Sequence, residues 1–448
     1  MAAIPNTSRT VVFGRHDQKV LDQLDNCVAQ EDGALGVLCA DGHFGYSAPI
    51  GGVVAYRDHV SPAAVGYDIG CGNLAVATNL MKADVANDLP VLMDRVFAEV
   101  SFGMGRGDGR AFDHPILERV ARAEFTPQRE LWSLARKQLG TVGAGNHYVD
   151  LFEDEGTGRV WVGVHFGSRG FGHKTASGFL ALAKGLSFGD HAPEGEMSAP
   201  PDVLDLAGSL GQSYLHAMEL AGAYAHAGRE VVVAQVLGIL GATAHGEPIH
   251  NHHNYAWIEE HGGERWVVTR KGATPAFPGQ RGFVGASMGE SAVILEGVEG
   301  EASAAALYST VHGAGRAMSR TAAAGRQRKR WSCNNRGCDY RQLPREPAPT
   351  GRSGSDVHDR TCPKCGELKL VKRWVTEQAG AIDWAATTAD LRRRGIELRG
   401  ANAEEAPGAY KRLDAVLAEH AGTVRVLHRL KPLGVAMAPG GTRDAYKD

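Results

Sequence analysis

The stretches TVGAGNHYVDLF (residues 141–152) and RVWVGVHFGSRGFGH (residues 159–173) decide how this chain folds. The first is a glycine loop feeding an apolar run. The second is an apolar run followed by a glycine loop that carries a histidine. Short valine-rich runs bounded by glycine read as strands. The plan continues outward. Towards the N-terminus, ALGVLCADG (34–42), PIGGVVAY (49–56) and NLAVAT (73–78) read as strands between glycine-rich turns. Residues 84–140 read mostly as helix, as in RELWSLARKQLG (129–140). Towards the C-terminus, SYLHAMELAGAYAHAG (213–228) carries a long helical pattern, and GERWVVTRKGATPAF (263–277) and SAVILEGV (291–298) are further strands. SAAALYSTVHGAGRAMSRTAAAG (303–325) reads as helix, loop, helix. Strands and helices are interspersed, and polar residues collect in the loops. That is the pattern of an α+β (mixed α/β) enzyme with a single large catalytic domain.

Bulk composition narrows the function classes. The chain has 448 residues, 43% hydrophobic and 22% charged, as in an ordinary globular protein. No stretch has the unbroken apolar length of a membrane span, and the N-terminus lacks the apolar core of a secretory signal, so a cytoplasmic protein is expected. The formal net charge of −3 gives no global nucleic-acid signature. A nucleic-acid partner would have to use local patches, such as Arg326-Gln327-Arg328-Lys329-Arg330 or Arg392-Arg393-Arg394. The default for such runs is a solvated face. The 58 glycines imply many turns and close backbone approaches, as around a ligand site.

Residues 325–371 break the style, being polar, basic and rich in Pro, Gly and Ser. They read as an insertion that divides the catalytic domain into residues 1–324 and 372–438, with a tail at 439–448. Cys333 and Cys338, then Cys362 and Cys365, form two pairs across a loop, the second within Cys-Pro-Lys-Cys-Gly. Four thiolates so spaced suit a tetrahedral Zn²⁺. A segment this polar cannot bury enough apolar surface to fold unaided, and metal binding would supply roughly 10–16 kcal/mol. Its role is open between a purely structural zinc ribbon and nucleic-acid docking.

Elsewhere, potential ligands are dispersed. Asp68-Ile69-Gly70-Cys71 sets a carboxylate and a thiol three residues apart, and Asn146-His147, His165 and His252-His253-Asn254 set histidines in loops. A lone loop histidine is more often a hydrogen-bonded residue than a ligand. Together, Asp68, Cys71, His147, His165 and His253 are enough for two metals, and Mn²⁺, Fe²⁺, Co²⁺ and Zn²⁺ all suit such donors. His312 lies in Val311-His312-Gly313-Ala314-Gly315-Arg316, an imidazole beside a permissive backbone and a guanidinium. It can be a phosphate contact, an acid, a ligand, a nucleophile or a turn cap.

The motifs DGHFGYSAPIGG, SPAAVGYDIGCG, GAGNHYVD, HFGSRGFGH, HHNYA, RKGATPAF, ASMG, HGAGRAMSR, EEAPGAYK and RLKPLGV occur in that order. In them the chain resembles the RtcB-type RNA ligases, over nearly its whole length apart from the insert and the last residues. The resemblance implies joining of RNA 3′-phosphate or 2′,3′-cyclic phosphate ends to 5′-hydroxyl ends with GTP and two Mn²⁺, and it allows an archease-like activator. It implies that Asp68, Cys71 and His147 hold one Mn²⁺, and Cys71, His165 and His253 the other. His312 becomes the nucleophile that takes GMP. Asn146, His147, Asp150, His253, Asn254, Gly285, Ala286, Ser287, Met288, Ala292, Gly313, Ala314, Gly315 and Met437 line the nucleotide site. Arg169, Lys271, Arg316 and Arg320 become candidates for phosphate contacts. Three positions depart from the family: Asp150 replaces the usual Glu, Ala292 aligns with a Ser beside Ser291, and Met437 stands where a lysine meets guanine. Two other readings fit the residues: a relative that binds RNA ends but ligates poorly, and a metal-dependent phosphohydrolase.

Overall fold

The computed structural model describes residues 10–107, 109–110, 112–191, 196–343, 346, 361–367 and 370–440. The expected tail lies outside them from residue 441 onward, as does most of the middle of the insert.

Two sheets organise the mixed α/β fold. The larger has eight strands. In spatial order they are Ile249–His252, Gly72–Met81, Arg159–Phe166, Tyr148–Asp154, Val424–Pro439, Ala292–Gly297 and Arg281–Val284, with Glu397–Ala401 pairing alongside Val424–Pro439. The smaller has five, in the order Thr10–Val12, Leu35–His43, Ile50–Tyr56, Glu264–Lys271 and Asn254–His261. Consecutive strand residues face opposite ways, and this period of two explains the large sheet. Val149, Leu151, Val160, Val162 and Val164 point to one face, where they form an apolar core with Val232, Val233 and Val236. Those last three belong to the 32-residue helix Ser209–Leu240, about 48 Å long at 1.5 Å per residue. Each fully buried valine or leucine contributes on the order of 1.5–3 kcal/mol, so this face anchors the sheet.

The opposite face carries the intervening residues. Strand pairing sets Asn251 opposite Asn73, Asn73 opposite His165, His165 opposite Tyr148, and Tyr148 opposite Met437. Directly paired residues share a face, so these five form one row across five strands.

Behind this row, Arg229 on the long helix is fully buried. It donates to the carbonyls of Gly70 (2.9 Å) and Phe166, and its Nη2 lies 2.7 Å from His250 Nε2. Gly70 precedes Cys71, and Phe166 follows His165. We expect Arg229→Met to strip both carbonyls of a donor at about 1–3 kcal/mol each. The urea unfolding midpoint should fall visibly, and an unchanged midpoint would show that the network carries no stability.

The sequence reading needs two adjustments. His312 follows a three-residue strand, Ser309–Val311, rather than a helix. Backbone pairing with Ala273–Pro275 outweighs the alanine-rich pattern before it. The expected insert boundary at 371 falls inside the strand Leu370–Ala379, which pairs along its length with Gly325–Cys333. The apolar pattern resuming near Trp374 thus belongs to the insert's own hairpin.

Candidate active site at the seam of the two sheets

The glycine loops converge at one edge of the large sheet. Cys71 directly precedes the strand Gly72–Met81, and His147 directly precedes Tyr148–Asp154. His165 is the next-to-last residue of its strand. His253 sits between Ile249–His252 of the large sheet and Asn254–His261 of the small one, at the crossover itself.

Cys71, His147 and His165 bring their ligand atoms within 4.8 Å of one another, and all three are buried. The Cys71 Sγ lies 3.7 Å from His147 Nε2 and 3.9 Å from His165 Nε2. The other ring nitrogens are engaged: His147 Nδ1 lies 3.0 Å from the Val142 carbonyl, and His165 Nδ1 lies 2.7 Å from Asn73 Oδ1. Such bonds fix the tautomer and aim the Nε2 lone pair inward, as a metal ligand requires. Asp68 joins through a carboxylate oxygen 3.2 Å from His147 Nε2. Burial opposes ionisation of Asp68, but the His147 hydrogen bond and charge, with Arg169, hold its pKa down to about 2. A Cβ on Gly167 would collide with this carboxylate, so only glycine fits there. His253 stacks on His165 with ring centroids 5.1 Å apart, and its buried Nδ1 has no hydrogen-bond partner. A buried orphan nitrogen beside a thiol, a carboxylate and two imidazoles fits a set of ligands for divalent cations.

Burial drives the pKa values of His165 and His253 well below the ordinary imidazole value, with neighbouring imidazoles adding to the effect. Both rings are neutral, the form that binds metal. Burial, reinforced by Asp68, pushes the Cys71 thiol well up. A thiolate there requires a cation beside it.

His312 stands 4.9 Å from His253, ring centroid to ring centroid, and outside the ligand cluster. Its Nδ1 lies 2.6 Å from Oδ2 of Asp41, which is fully buried. The backbone N–H groups of His312 and Gly313 donate to the same oxygen, at 3.1 and 3.4 Å. Burial opposes ionisation of Asp41, yet the charge and hydrogen bonds of His312 hold its pKa below the ordinary carboxylate value. Asp41 faces Nδ1, so in the neutral ring it favours the tautomer with the proton there and the lone pair on Nε2. Gly315 turns the loop at φ +73, where a Cβ would strike the Asp41 backbone.

Further along the row lies an apolar cluster. Met288, Leu391, Ile396, Val435 and Met437 pack together, with Tyr148 and Trp384 against them. Three buried polar atoms near it have no partner: Asp150 Oδ1, Tyr148 OH and Ser287 Oγ. Burial pushes the Asp150 carboxyl well up, opposed by the Ala436 N–H. Gly285 leaves room for the Tyr148 hydroxyl, which a Cβ there would strike.

The remaining candidates are distributed as follows. Asn146 is exposed, with Nδ2 3.3 Å from His165 Nε2. Asn254 accepts from the Gly272 N–H at 2.8 Å and ties the Asp68 loop to the small sheet. Ala292 packs with Phe152, Phe283 and Ile294 in an apolar core, and Ser291 bonds Glu155 at 2.5 Å. Ala314 is buried in the core of the small sheet, and Ala286 packs against it. Arg169 Nη1 lies 3.2 Å from His147 Nδ1, which places it beside the ligand cluster. Three expected phosphate contacts are held by the protein itself. Lys271 donates to the carbonyls of Tyr46, Ala48 and Ala63. Arg316 binds Glu405, Tyr410 and the Glu404 carbonyl, and Arg320 pairs with Glu405. Asp41, Asn73 and Arg229 were missed from sequence. Asp41 heads DGHFGYSAPIGG, so the signal was in view, but an acid before glycine reads first as a turn.

In the insert, Cys333 Sγ and Cys365 Sγ are 3.6 Å apart, Cys338 Sγ and Cys362 Sγ 3.7 Å, and all four lie within 4.8 Å. Tetrahedral Zn–S bonds of about 2.3 Å place sulfurs about 3.8 Å apart, so the four thiols match a Zn²⁺ site.

Fold and site together define a mixed α/β enzyme with a buried thiol–imidazole metal site and an adjacent, acid-paired histidine. The family model described as tRNA-splicing ligase RtcB matches residues 27–342. The chain is 29% identical to the tRNA-splicing ligase RtcB of Thermococcus kodakarensis, over 89% of this chain and 87% of that protein. It is 33% identical to the RNA-splicing ligase RtcB of Escherichia coli K12, over 63% of this chain and 74% of that protein. It is 28% identical to the tRNA-splicing ligase RtcB of Aeropyrum pernix, over 94% and 92%. The chain belongs to the RtcB family. Among its described residues, no helix is long and apolar enough to cross a membrane.

Proposed function

We propose that this protein is a GTP-dependent RNA ligase that joins 3′-phosphate or 2′,3′-cyclic phosphate ends to 5′-hydroxyl ends, in RNA repair or tRNA splicing. The observation that carries this reading is the Asp41–His312 pair set against the Cys71/His147/His165 group, with His253 in ring contact with both His165 and His312. His312 Nε2 is the nucleophile. It attacks the α-phosphorus of GTP, pyrophosphate leaves, and a guanylyl-histidine forms. Asp41 retains the Nδ1 proton and stabilises the positive charge on the ring as the bond forms. The guanylyl group passes to the RNA 3′-phosphate, the 5′-hydroxyl attacks the activated phosphate, and GMP departs.

Asp68, Cys71 and His147 would hold one Mn²⁺, and Cys71, His165 and His253 the second. Bound there, the ions offset phosphate charge next to His312. Asn146 and the Gly313–Gly315 backbone face the phosphates. The base is placed beside the apolar cluster of Met288 and Met437. Asp150, Tyr148 and Ser287 supply polar atoms that otherwise stay buried without partners, a cost of roughly 1–3 kcal/mol each. The N1–H and amino donors of guanine would favour the ionised form of the buried Asp150 carboxyl, and Met437 adds packing in place of a lysine's hydrogen bond. The domain plan we infer is a catalytic domain of residues 1–324 and 380–438 interrupted by a zinc-binding insert, with an archease-like activator as a candidate partner.

The test is direct. With α-labelled GTP, Mn²⁺ and no RNA, the chain should take up an acid-labile covalent label. With RNA it should then join a 3′-phosphate end to a 5′-hydroxyl end. Bound metal without a label would sink the reading. Asp41→Asn should slow label formation about 10²–10⁴-fold, because the ring loses its orienting acceptor. The metal content should not change. Quenched-flow labelling measures the rate, and a wild-type rate would remove Asp41 from the chemistry.

A further inference from the structure

Four cations that the sequence places near the site's motifs are held internally. Arg316 and Arg320 share Glu405, and Lys411 Nζ donates to the carbonyls of Ala40 and Gly42. Lys271 is held by three carbonyls. Beyond Arg169, a polyanion leading to this site would need positive charge from elsewhere. Residues 325–379 hold 13 Lys and Arg against 6 Asp and Glu, in a chain with 48 against 51.

The hairpin arranges this charge. Arg326, Arg328 and Arg330 alternate along Gly325–Cys333 and therefore share a face. Arg373 pairs directly opposite Arg330 and joins the same face. Glu377, beside a register shift, binds Arg330 and lies 3.7 Å from Arg328. Arg373 is bonded to a neutral amide oxygen, Asn334 Oδ1, at 2.6 Å. Arg326, Arg328 and Arg373 are exposed. Alternate strand residues lie about 6.8 Å apart, so the face presents a line of guanidiniums, suited to tracking a backbone.

Both ends of the hairpin are fixed. At the far end, Cys333 and Leu370 pack with Trp331 and Cys362 around the four thiols. At the near end, Gly325 follows the helix Arg320–Ala324, thirteen residues after His312. The returning chain is clamped to the same helix, Ala381 N–H to the Ala322 carbonyl (2.9 Å) and Ile382 N–H to Ala323 (3.1 Å).

We propose that the paired strands Gly325–Cys333 and Leu370–Ala379, fixed at one end by a Zn²⁺ held by Cys333, Cys338, Cys362 and Cys365, are a docking arm for the phosphate backbone of single-stranded RNA bound at the His312 site. This rests on the ligase reading above. The arm is sequence-neutral, because guanidiniums on a strand face contact phosphates and no base edges.

The probe is a fluorescein-labelled 20-nucleotide RNA with a 5′-hydroxyl and a 3′-phosphate, followed by anisotropy across a salt series. In the full chain, Arg326→Gln/Arg328→Gln/Arg373→Gln should weaken binding at least tenfold near 0.1 M salt. The slope of log affinity against log salt should shrink by about 2, from about 0.7 for each lost single-strand phosphate contact. The corresponding triple lysine variant should keep the wild-type slope. Zinc at one per chain reports a folded ribbon. Should the glutamine variant lose zinc, Arg373→Gln alone should still reduce the slope by about 0.7. Wild-type affinity and slope with zinc retained overturn the proposal. GTP labelling without RNA should be unaffected. Loss of labelling in the unsubstituted chain would fail the ligase reading, while the salt series still judges the arm.

Discussion

His312→Ala should abolish the covalent label from GTP, and ligation with it. This is the largest effect expected. On the proposed mechanism the bond to phosphorus is made by the imidazole itself, and the neighbouring His165 is grouped with Cys71 and His147. The fold should survive, because His312 is only half-buried and removing it leaves Asp41 with two backbone donors, from residues 312 and 313. The measurement is a filter-binding or gel assay of labelled protein with wild-type and variant chains at equal Mn²⁺ occupancy. A label that persists at full stoichiometry would move the nucleophile elsewhere and discard the proposed chemistry.

Cys71→Ala should empty both manganese positions together. The Cys71 sulfur is within 4 Å of the Nε2 atoms of both His147 and His165, so one thiolate serves both ligand groups. Losing the shared anion removes the ligand that balances two dications, and affinity should fall on the order of 100-fold or more. The check is a Mn²⁺ titration followed by electron paramagnetic resonance, with zinc measured in parallel. Zinc should remain at one per chain, because the Cys333/Cys338/Cys362/Cys365 group is separate. Retention of one tight manganese would mean that the thiolate is not shared. Simultaneous loss of zinc would mean that the substitution unfolds the chain.

The two effects differ in what they leave behind. His312→Ala keeps the metals and loses the chemistry, whereas Cys71→Ala loses the metals and keeps an oriented histidine. Asp41→Asn lies between them, retaining both and slowing the step. A hydrolase that never guanylylates its histidine would give no label in any of the four proteins, wild type included.

Much of this was legible in the chain. Strands and glycine turns are local properties, so His147 and His165 could be read as loop residues beside valine-rich runs, and Cys71 as part of a glycine turn. The spacing of the paired cysteines suited a tetrahedral Zn²⁺. Arg316 and Lys271 were read as phosphate contacts from charge and motif, but charge says nothing about who holds it. Glu405 and three backbone carbonyls hold them, from segments far along the chain. Asn73 looked like the polar end of a strand, and Arg229 like one cation on an apolar helix. Each matters only through what it meets.

By itself, then, the sequence determined the strand–loop plan of residues 141–173, the mixed α/β class, the identity of the potential ligands and the presence of a four-cysteine insert. These follow from propensity, periodicity and spacing over a few residues. Tertiary structure alone decided that Asn251, Asn73, His165, Tyr148 and Met437 form one row, that Asp41 holds His312 across 271 residues, and which cations remain exposed. Strand register and long-range hydrogen bonds depend on which distant segments bury one another, and no local pattern encodes that choice.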